Sequence, residues 1–582
     1  MPSNRLATVT FLWLFMTACS SSGDPESGSN ETPETGDNAN AASGNNVIAG
    51  PLPDLAPHAA AFKSKHYSGS AQCSVCHDRL SDEAGNDISI AQSWSSSMMA
   101  NAARDPYWIA KVAAEIDRHP TLESALADTC SRCHAPMAND SAKKDNINIS
   151  LLGENSLLSA NSPLFDHAME GVSCTLCHQL EDNADFGTDQ GTSGNFSIAE
   201  FARPSDRPAY GQYTDPSSAF MRSQTQFNPV YGEHMSKSAA CASCHDLKTP
   251  HVDASGTLST NSPGSDFPEQ MVFSEWLNSD YQTGGINEAT CQSCHMPEAS
   301  GSIMLSSRGG GVPRTGFSQH TFLGANTVMQ TILRDYSSEL GISVDAAQFD
   351  ASISRNRAFL QGAASIKIVS STLTGQQLNA NVLIRNQAGH KLPSGYPSRR
   401  VYLHFKVSDS NGNVVFESGK AIADGSIVGN IEDTDNSQYE NHYDVITSSD
   451  QVQIYEAIMG DTESAVTHTL MRASHYLKDN RLLPAGFDKI SAPDDIKVAG
   501  LASNDSNFDA GGDQISYRVA VPVSDSYTVL AELIYQPLAY GHLQDLFSSD
   551  HLPEVDQFKT LFNSTTLKAE TIAIDRTTVR GE

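Results

Sequence analysis

Beyond a short N-terminal stretch, the 582-residue chain has no apolar run of the roughly 20 residues that cross a bilayer, which excludes a helical core embedded in a membrane. Positive charge is also scarce. Lys and Arg number 37 against 68 Asp and Glu, a formal net charge of −31, and that balance argues against nucleic acid or anionic lipid as a partner. A cationic or salt-bridged partner is favoured, with an ordinary solvated acidic surface as the plainer alternative. No cysteine follows Cys294, so the C-terminal part can hold neither a disulfide nor a thioether. Nor is there a Cys-x-x-Cys-Lys motif.

The cysteines that are present follow one rule. Ten of the eleven fall in five Cys-x-x-Cys-His motifs: Cys73/Cys76/His77, Cys130/Cys133/His134, Cys174/Cys177/His178, Cys241/Cys244/His245 and Cys291/Cys294/His295. Two cysteines three positions apart can form thioethers with the two vinyl groups of one haem, and the next histidine then lies under the iron. Zinc knuckles, thioredoxin-like pairs and disulfides leave that histidine unexplained, and the long, unequal intervals do not suit paired knuckles. Five covalently attached haem c groups are expected, with His77, His134, His178, His245 and His295 as proximal iron ligands.

In chain order, Arg5, the apolar Phe11 to Met16 and Thr17-Ala18-Cys19 resemble a bacterial lipoprotein signal over residues 1–19, with Cys19 lipidated. An ordinary secretory signal cleaved near Ala18 is the alternative. Residues 20–57 are rich in Ser, Gly, Asn, Asp, Glu and Pro and read as a disordered tether. The expectation is an exported protein whose membrane contact is the N-terminal lipid anchor alone.

Residues 58–341 carry the motifs. Helical pieces are expected at Asp105 to Ile116, Ser274 to Asp280 and Thr321 to Leu340, between Gly-, Ser-, Asn- and Pro-rich stretches. Porphyrins would replace much of the aliphatic core there, so short helices, long loops and little sheet follow. His66, His167 and His234 each precede a motif's first cysteine by seven residues. On a continuous helix such a histidine would lie about 16 Å from its own motif histidine. Two ligands of one iron sit about 4 Å apart. These three are therefore candidates for distal ligation of a neighbouring haem, the alternative being surface histidines.

Glu170-Gly-Val-Ser-Cys174-Thr-Leu-Cys-His178 and Thr290-Cys-Gln-Ser-Cys-His-Met-Pro297 resemble multihaem c-type cytochromes of the cytochrome c-552/c-554 class, over roughly residues 60–330. In that class a histidine often follows a Trp-x-x-Ser segment near the first haem as a distal ligand. Here Trp94-Ser-Ser-Ser-Met98-Met99-Ala100 carries methionines instead, and Met99 is either a thioether ligand or a core side chain. The resemblance also implies a distal role for His320, which opens the segment after the last motif. His119 and His251 are weaker candidates. The resemblance of residues 1–19 to a lipoprotein signal also implies, through Ser20 after Cys19, sorting to the outer membrane.

From Ala364 the pattern changes. Ser365 to Thr372, Leu378 to Arg385, Val401 to Val407, Asn413 to Glu417, Gln451 to Glu456, Gln514 to Val521 and Tyr527 to Tyr535 read as strands, with a hairpin turn at Asp409-Ser-Asn-Gly412. A helical or loop insertion is expected around Ser464 to Tyr476. The fold class expected is a mainly α/irregular multihaem cytochrome domain, a connecting helix over 342–363, and an all-β sandwich-like domain over 364–582. Loops like Asn386-Gln-Ala-Gly389-His390-Lys-Leu-Pro393-Ser-Gly395 accompany cytochromes of this kind, so His390 is either a haem ligand reaching across the domain boundary or a loop histidine bonded to backbone.

The expected function is electron transfer along covalently bound haems. The alternative is a multihaem oxidoreductase with one open iron acting on a small nitrogen or sulfur compound; an electron carrier is favoured over it. No catalytic residue is assigned. A third reading has the β domain docking a partner.

Overall fold

In the computed structural model, which describes residues 60–198, 201–259 and 266–580, each motif forms a short helix. The helices are Ala71–His77, Glu123–His134, Cys174–Cys177, Ala239–His245 and Cys291–His295. The expected signal, Cys19 and the tether lie outside the described residues. Among the described residues no helix is long and apolar enough to cross a membrane.

The best-formed helix near the motifs, Pro106–Arg118, shows how local chemistry sets an element. Asp105 caps it, its carboxylate accepting the Tyr107 N–H at 2.9 Å and the Trp108 N–H at 3.4 Å, and Pro106 sits where no donor is needed. It ends just before Pro120. Two small sheets are set among the motifs: β1 (Arg207–Gly211) runs parallel to β2 (Phe227–Tyr231), and β3 (Asp246–Thr249) pairs antiparallel with β4 (Phe267–Met271).

After the helix Ala346–Gln361 come ten strands: β5 (Ala364–Thr374), β6 (Gln377–Asn386), β7 (Arg400–Asp409), β8 (Val414–Ser418), β9 (Val445–Ile446), β10 (Ile454–Gly460), β11 (His475–Asp479), β12 (Gly512–Ala520), β13 (Ser526–Gln536) and β14 (Glu570–Arg580). One sheet has the order β5-β6-β12-β9, the other β11-β10-β7-β13-β14 with β8 on β7. Their apolar faces share one core, which includes Val382, Ile384, Phe405, Tyr517 and Val529. Phe405 and Tyr517 stack across it with ring centroids 3.7 Å apart.

Two features differ from the sequence reading. The expected insertion at Ser464 to Tyr476 runs directly into β11, and two helices, Tyr540–Phe547 and Pro553–Ser564, precede the last strand. The second difference decides the architecture. Leu543, Leu546, Val555, Phe558 and Phe562 from those late helices share a core with Ala110 and Ala114 of the Pro106–Arg118 helix, with Val328 and Ile332 of the helix Thr327–Asp335, and with Phe349 and Ile353. The motif region and the sandwich thus share an apolar core. The described residues belong to one compact unit, in keeping with short motif helices that have too little aliphatic surface to build a core alone.

Candidate functional site

All five motifs present both cysteines and the histidine to one continuous cavity of about 1290 Å³. None of the ten motif cysteines is paired in a disulfide, and Cys294 is the exposed one.

The histidines are oriented from behind. Nδ1–H of His77 donates to the Leu305 carbonyl at 2.7 Å, that of His134 to Ala102 at 3.1 Å, that of His178 to Tyr210 at 2.6 Å and that of His295 to Leu323 at 2.6 Å. Such a bond fixes the tautomer and leaves Nε2 as the lone-pair nitrogen, the usual arrangement behind a metal-ligating imidazole. Burial keeps these rings neutral: it pushes His134 and His245 down to about 4. Trp108 stacks on His134 at 4.5 Å and 4°.

Two further histidines on the cavity wall repeat the pattern. His320 Nδ1–H donates to Ser318 at 3.1 Å and His390 Nδ1–H to Lys391 at 2.8 Å. The His320 ring lies 6.2 Å from that of His178, 21° from coplanar, and the His390 ring lies 6.3 Å from that of His295, at 15°. Two imidazoles sharing one metal ion, with bonds of about 2 Å and ring centres about 1.2 Å beyond each nitrogen, have centroids about 6.4 Å apart. Both gaps therefore fit one iron. Burial pushes His320 down to about 3, so it too is neutral.

Thiol contacts give the order of the motifs in space. Cys73 lies beside Cys174, Cys133 beside Cys244 and Cys241 beside Cys291. Cys177 lies close enough to Cys241 and Cys244 to interact electrostatically with both. The fourth motif is the hub: it neighbours the second, third and fifth, while the first neighbours the third. The first contact is held by Glu170, buried, which accepts the N–H groups of Ala60 (2.7 Å) and Ser70 (3.0 Å) and the hydroxyls of Ser70 (2.9 Å) and Ser173 (2.6 Å). Gly171 follows at φ +57°, and a Cβ there would lie 2.5 Å from the Met99 carbonyl oxygen.

Other histidines singled out from the sequence stand elsewhere. His66, His167, His234, His119 and His251 do not line the cavity. His66 Nε2 is 3.4 Å from Asp145, His167 stacks on Phe62 at 3.9 Å with no partner for either nitrogen, and His234 Nε2–H donates to the Leu180 carbonyl at 2.9 Å. His119 ends the Pro106–Arg118 helix, and His251 Nδ1 is buried without a partner. Each histidine of the seven-residue offset lies in the segment leading into its motif helix, off the lining of the cavity. Met98 and Met99 both line the cavity, but Met98 also packs into the shared helical core, which leaves Met99 as the one committed to the cavity alone.

Sequence reasoning missed the acid–base groups of the wall. Glu269, Glu115, Lys111 and Tyr396 line the cavity together with Cys130. They come from β4, a helix and a loop, and nothing in their local sequence distinguishes them from ordinary polar residues. Glu269 accepts the Thr249 hydroxyl at 2.6 Å, and burial raises its carboxyl to about 7. An electron added nearby would raise that value further and draw in a proton, so the potential of a haem on Cys130/Cys133 is expected to fall as pH rises from about 6 to 8. The slope limit is about 59 mV per pH unit for one electron. A redox titration across that range should show the slope, and Glu269→Gln should flatten it; an unchanged slope in the variant would refute the coupling.

Away from the cavity, His442, Asp505 and Asp513 have ligand atoms within 4.8 Å of one another. Tyr443 N–H fixes the Gln453 amide and Glu456 N–H fixes that of Asn480, so both NH₂ groups donate to His442 Nδ1, at 2.9 and 3.0 Å. Nε2 must then carry the proton, which it donates to Asp505 at 3.2 Å. The trio is a satisfied hydrogen-bond cluster and does not suit a cation.

The structure is similar to the crystal structure of a penta-heme cytochrome c552 from Thermochromatium tepidum, with a TM-score of 0.50 and 16% identity over 89% of this chain and 100% of that one. The likeness at that identity is one of fold. No protein-family model matches the chain, and comparison with curated proteins gives no match.

Proposed function

We propose that the chain is a multihaem c-type cytochrome that passes electrons through haems attached to its five motifs. The observation that carries this reading is the single cavity into which all five Cys-x-x-Cys-His sets open, four of their histidines held by carbonyls so that Nε2 is free. Bound there, haem iron would supply one-electron chemistry. The cysteines would tether each group, the motif histidines would bind the proximal face, and His320 and His390 would complete the third and fifth sites opposite His178 and His295.

The chain's further contribution is spacing. Thiol contacts support a branched relay, first to third to fourth motif, with branches to the second and the fifth. The exposed Cys294 supports the fifth as a port toward a redox partner. The N-terminal signal, Cys19 and the acidic balance support an exported protein anchored by lipid to the outer membrane and partnered by other redox proteins of the envelope. One observation favours the oxidoreductase alternative: Lys111, Glu115, Glu269 and Tyr396 gather beside Cys130, where they could deliver protons to a reduced small molecule.

Near-infrared magnetic circular dichroism of the oxidised holoprotein, with haem quantified per chain, tests the reading. Five haems and bands from at least two bis-imidazole sites are expected. A protein carrying no covalent haem, or showing no bis-imidazole band, would overturn it. A substrate-induced spectral change with turnover would move the assignment to the oxidoreductase.

A further inference from the structure

The loop that presents His390 is fastened by four buried charges. Glu275, on the helix Val272–Leu277 of the motif region, accepts the Lys391 N–H at 3.2 Å and the Ser394 hydroxyl at 2.6 Å through Oε2, while Arg481 pairs with its Oε1 at 2.8 Å. Lys391 Nζ pairs with Asp479 at 2.7 Å, and Arg481 grips the same carboxylate with two bonds, at 2.8 and 2.7 Å. Glu275 and Lys391 are fully buried, Asp479 is 1% exposed and Arg481 5%. Two cations and two anions close on themselves with no net charge.

Such a quartet is an expensive way to stabilise a protein, since apolar side chains of similar volume often do as well or better; what fixed, directional charge pairs supply is position. The position supplied is that of one loop. Asn386 adds to it, its Nδ2–H₂ donating to the His390 and Leu482 carbonyls at 2.9 and 3.0 Å. Gly389 lets the loop approach the motif region: a Cβ there would lie 3.2 Å from Tyr281 and 3.4 Å from Trp276. The fastening therefore takes Glu275 from the motif region and Asp479 and Arg481 from the sandwich side, and converges on residues adjacent to His390.

We propose that Glu275, Lys391, Asp479 and Arg481 are positioning residues that hold His390 opposite His295, so that the sandwich serves as a latch on the sixth position of the fifth site. The inference rests on the reading of His390 as an axial ligand. Its consequence is that loosening the latch from the Glu275 side, without altering the imidazole itself, frees that position. Glu275→Gln leaves Lys391 and Arg481 with a single counter-charge and turns an amide donor toward one of its former partners, so the loop should be expelled.

The test uses the full-length holoprotein and carbon monoxide. Glu275→Gln is expected to bind one more carbon monoxide per chain than the wild type when reduced, and to lose one bis-imidazole band when oxidised. Ser394→Ala, which removes only one hydroxyl and keeps the fold should Glu275→Gln fail to mature, is expected to speed carbon monoxide binding at that site by about tenfold, the effect of one hydrogen bond to a charged group. His390→Ala is expected to match Glu275→Gln. If His390→Ala gains the site while Glu275→Gln and Ser394→Ala behave as wild type, the latch is overturned and the ligand assignment stands. If His390→Ala itself behaves as wild type, the ligand assignment falls and the latch with it.

Discussion

Made without haem attachment, the chain is expected not to reach its native fold. The cavity of about 1290 Å³ would be empty, and at about 24 cal/mol per Å³ of unfilled volume the loss is about 30 kcal/mol. Water entry and partial collapse would reduce that figure. A quarter of it, about 8 kcal/mol, still equals the whole stability of many domains, about 5–15 kcal/mol. The motif helices cannot compensate, since their buried residues are few and small: Ala71 and Ser74 in the first, Thr175 and Leu176 in the third, none in the fifth. The effect should spread, because Phe558 and Leu546 near the C-terminus share their core with Ala110 and Val328. A variant with all ten motif cysteines changed to alanine is expected to show no cooperative thermal transition in this region and to be cut by protease in both the motif segment and the helices Tyr540–Phe547 and Pro553–Ser564. Native-like protection of the haem-free chain would refute the argument.

Replacement of His320 is expected to have the next largest effect. Its ring lies at the separation a shared iron requires, 6.2 Å from His178, with Nδ1 already committed to the Ser318 carbonyl. No other histidine ring lies near that of His178 in this way among the described residues. His320→Ala should therefore turn the low-spin signal of one haem per chain into high-spin signal. His320→Met, which keeps a ligand but exchanges imidazole for thioether, should stay low-spin and raise one potential by roughly 0.1–0.3 V, within the roughly 0.8 V that axial ligands span. Redox titration followed by magnetic circular dichroism reads both. A fully low-spin His320→Ala protein with unchanged potentials would remove His320 from the iron.

Much of this was legible from the chain itself. Covalent spacing is local, so the attachment motifs and their histidines can be read without a fold. Alternation marked β5, β6, β7, β12 and β13 to within a few residues, because a half-buried strand writes its burial into the sequence. The turn at Asp409 to Gly412 was equally plain, with Gly412 at φ +84° between β7 and β8. The late helices were less so, since their apolar faces meet residues more than 400 positions earlier. The candidate distal histidines divide in their placement for the same reason. His66, His167 and His234 drew attention through a regular offset, yet offset constrains only neighbours along the chain. His320 and His390 reach the cavity from segments after the last motif, and what distinguishes them is the partner ring across a 6.2 or 6.3 Å gap.

By itself, then, the sequence determined what is chemically local: five Cys-x-x-Cys-His motifs, an acidic charge balance and a strand-rich C-terminal part. Only the tertiary structure decided which motifs touch, that the fourth is the hub, which histidines face one another, and that four buried charges hold His390 in place. The physical reason is one of range. Thioether spacing and side-chain alternation act over a few residues, whereas the facing histidine rings lie 142 and 95 positions apart in sequence and the buried Glu275–Arg481 pair 206, and these exist only once the chain has closed around the cavity.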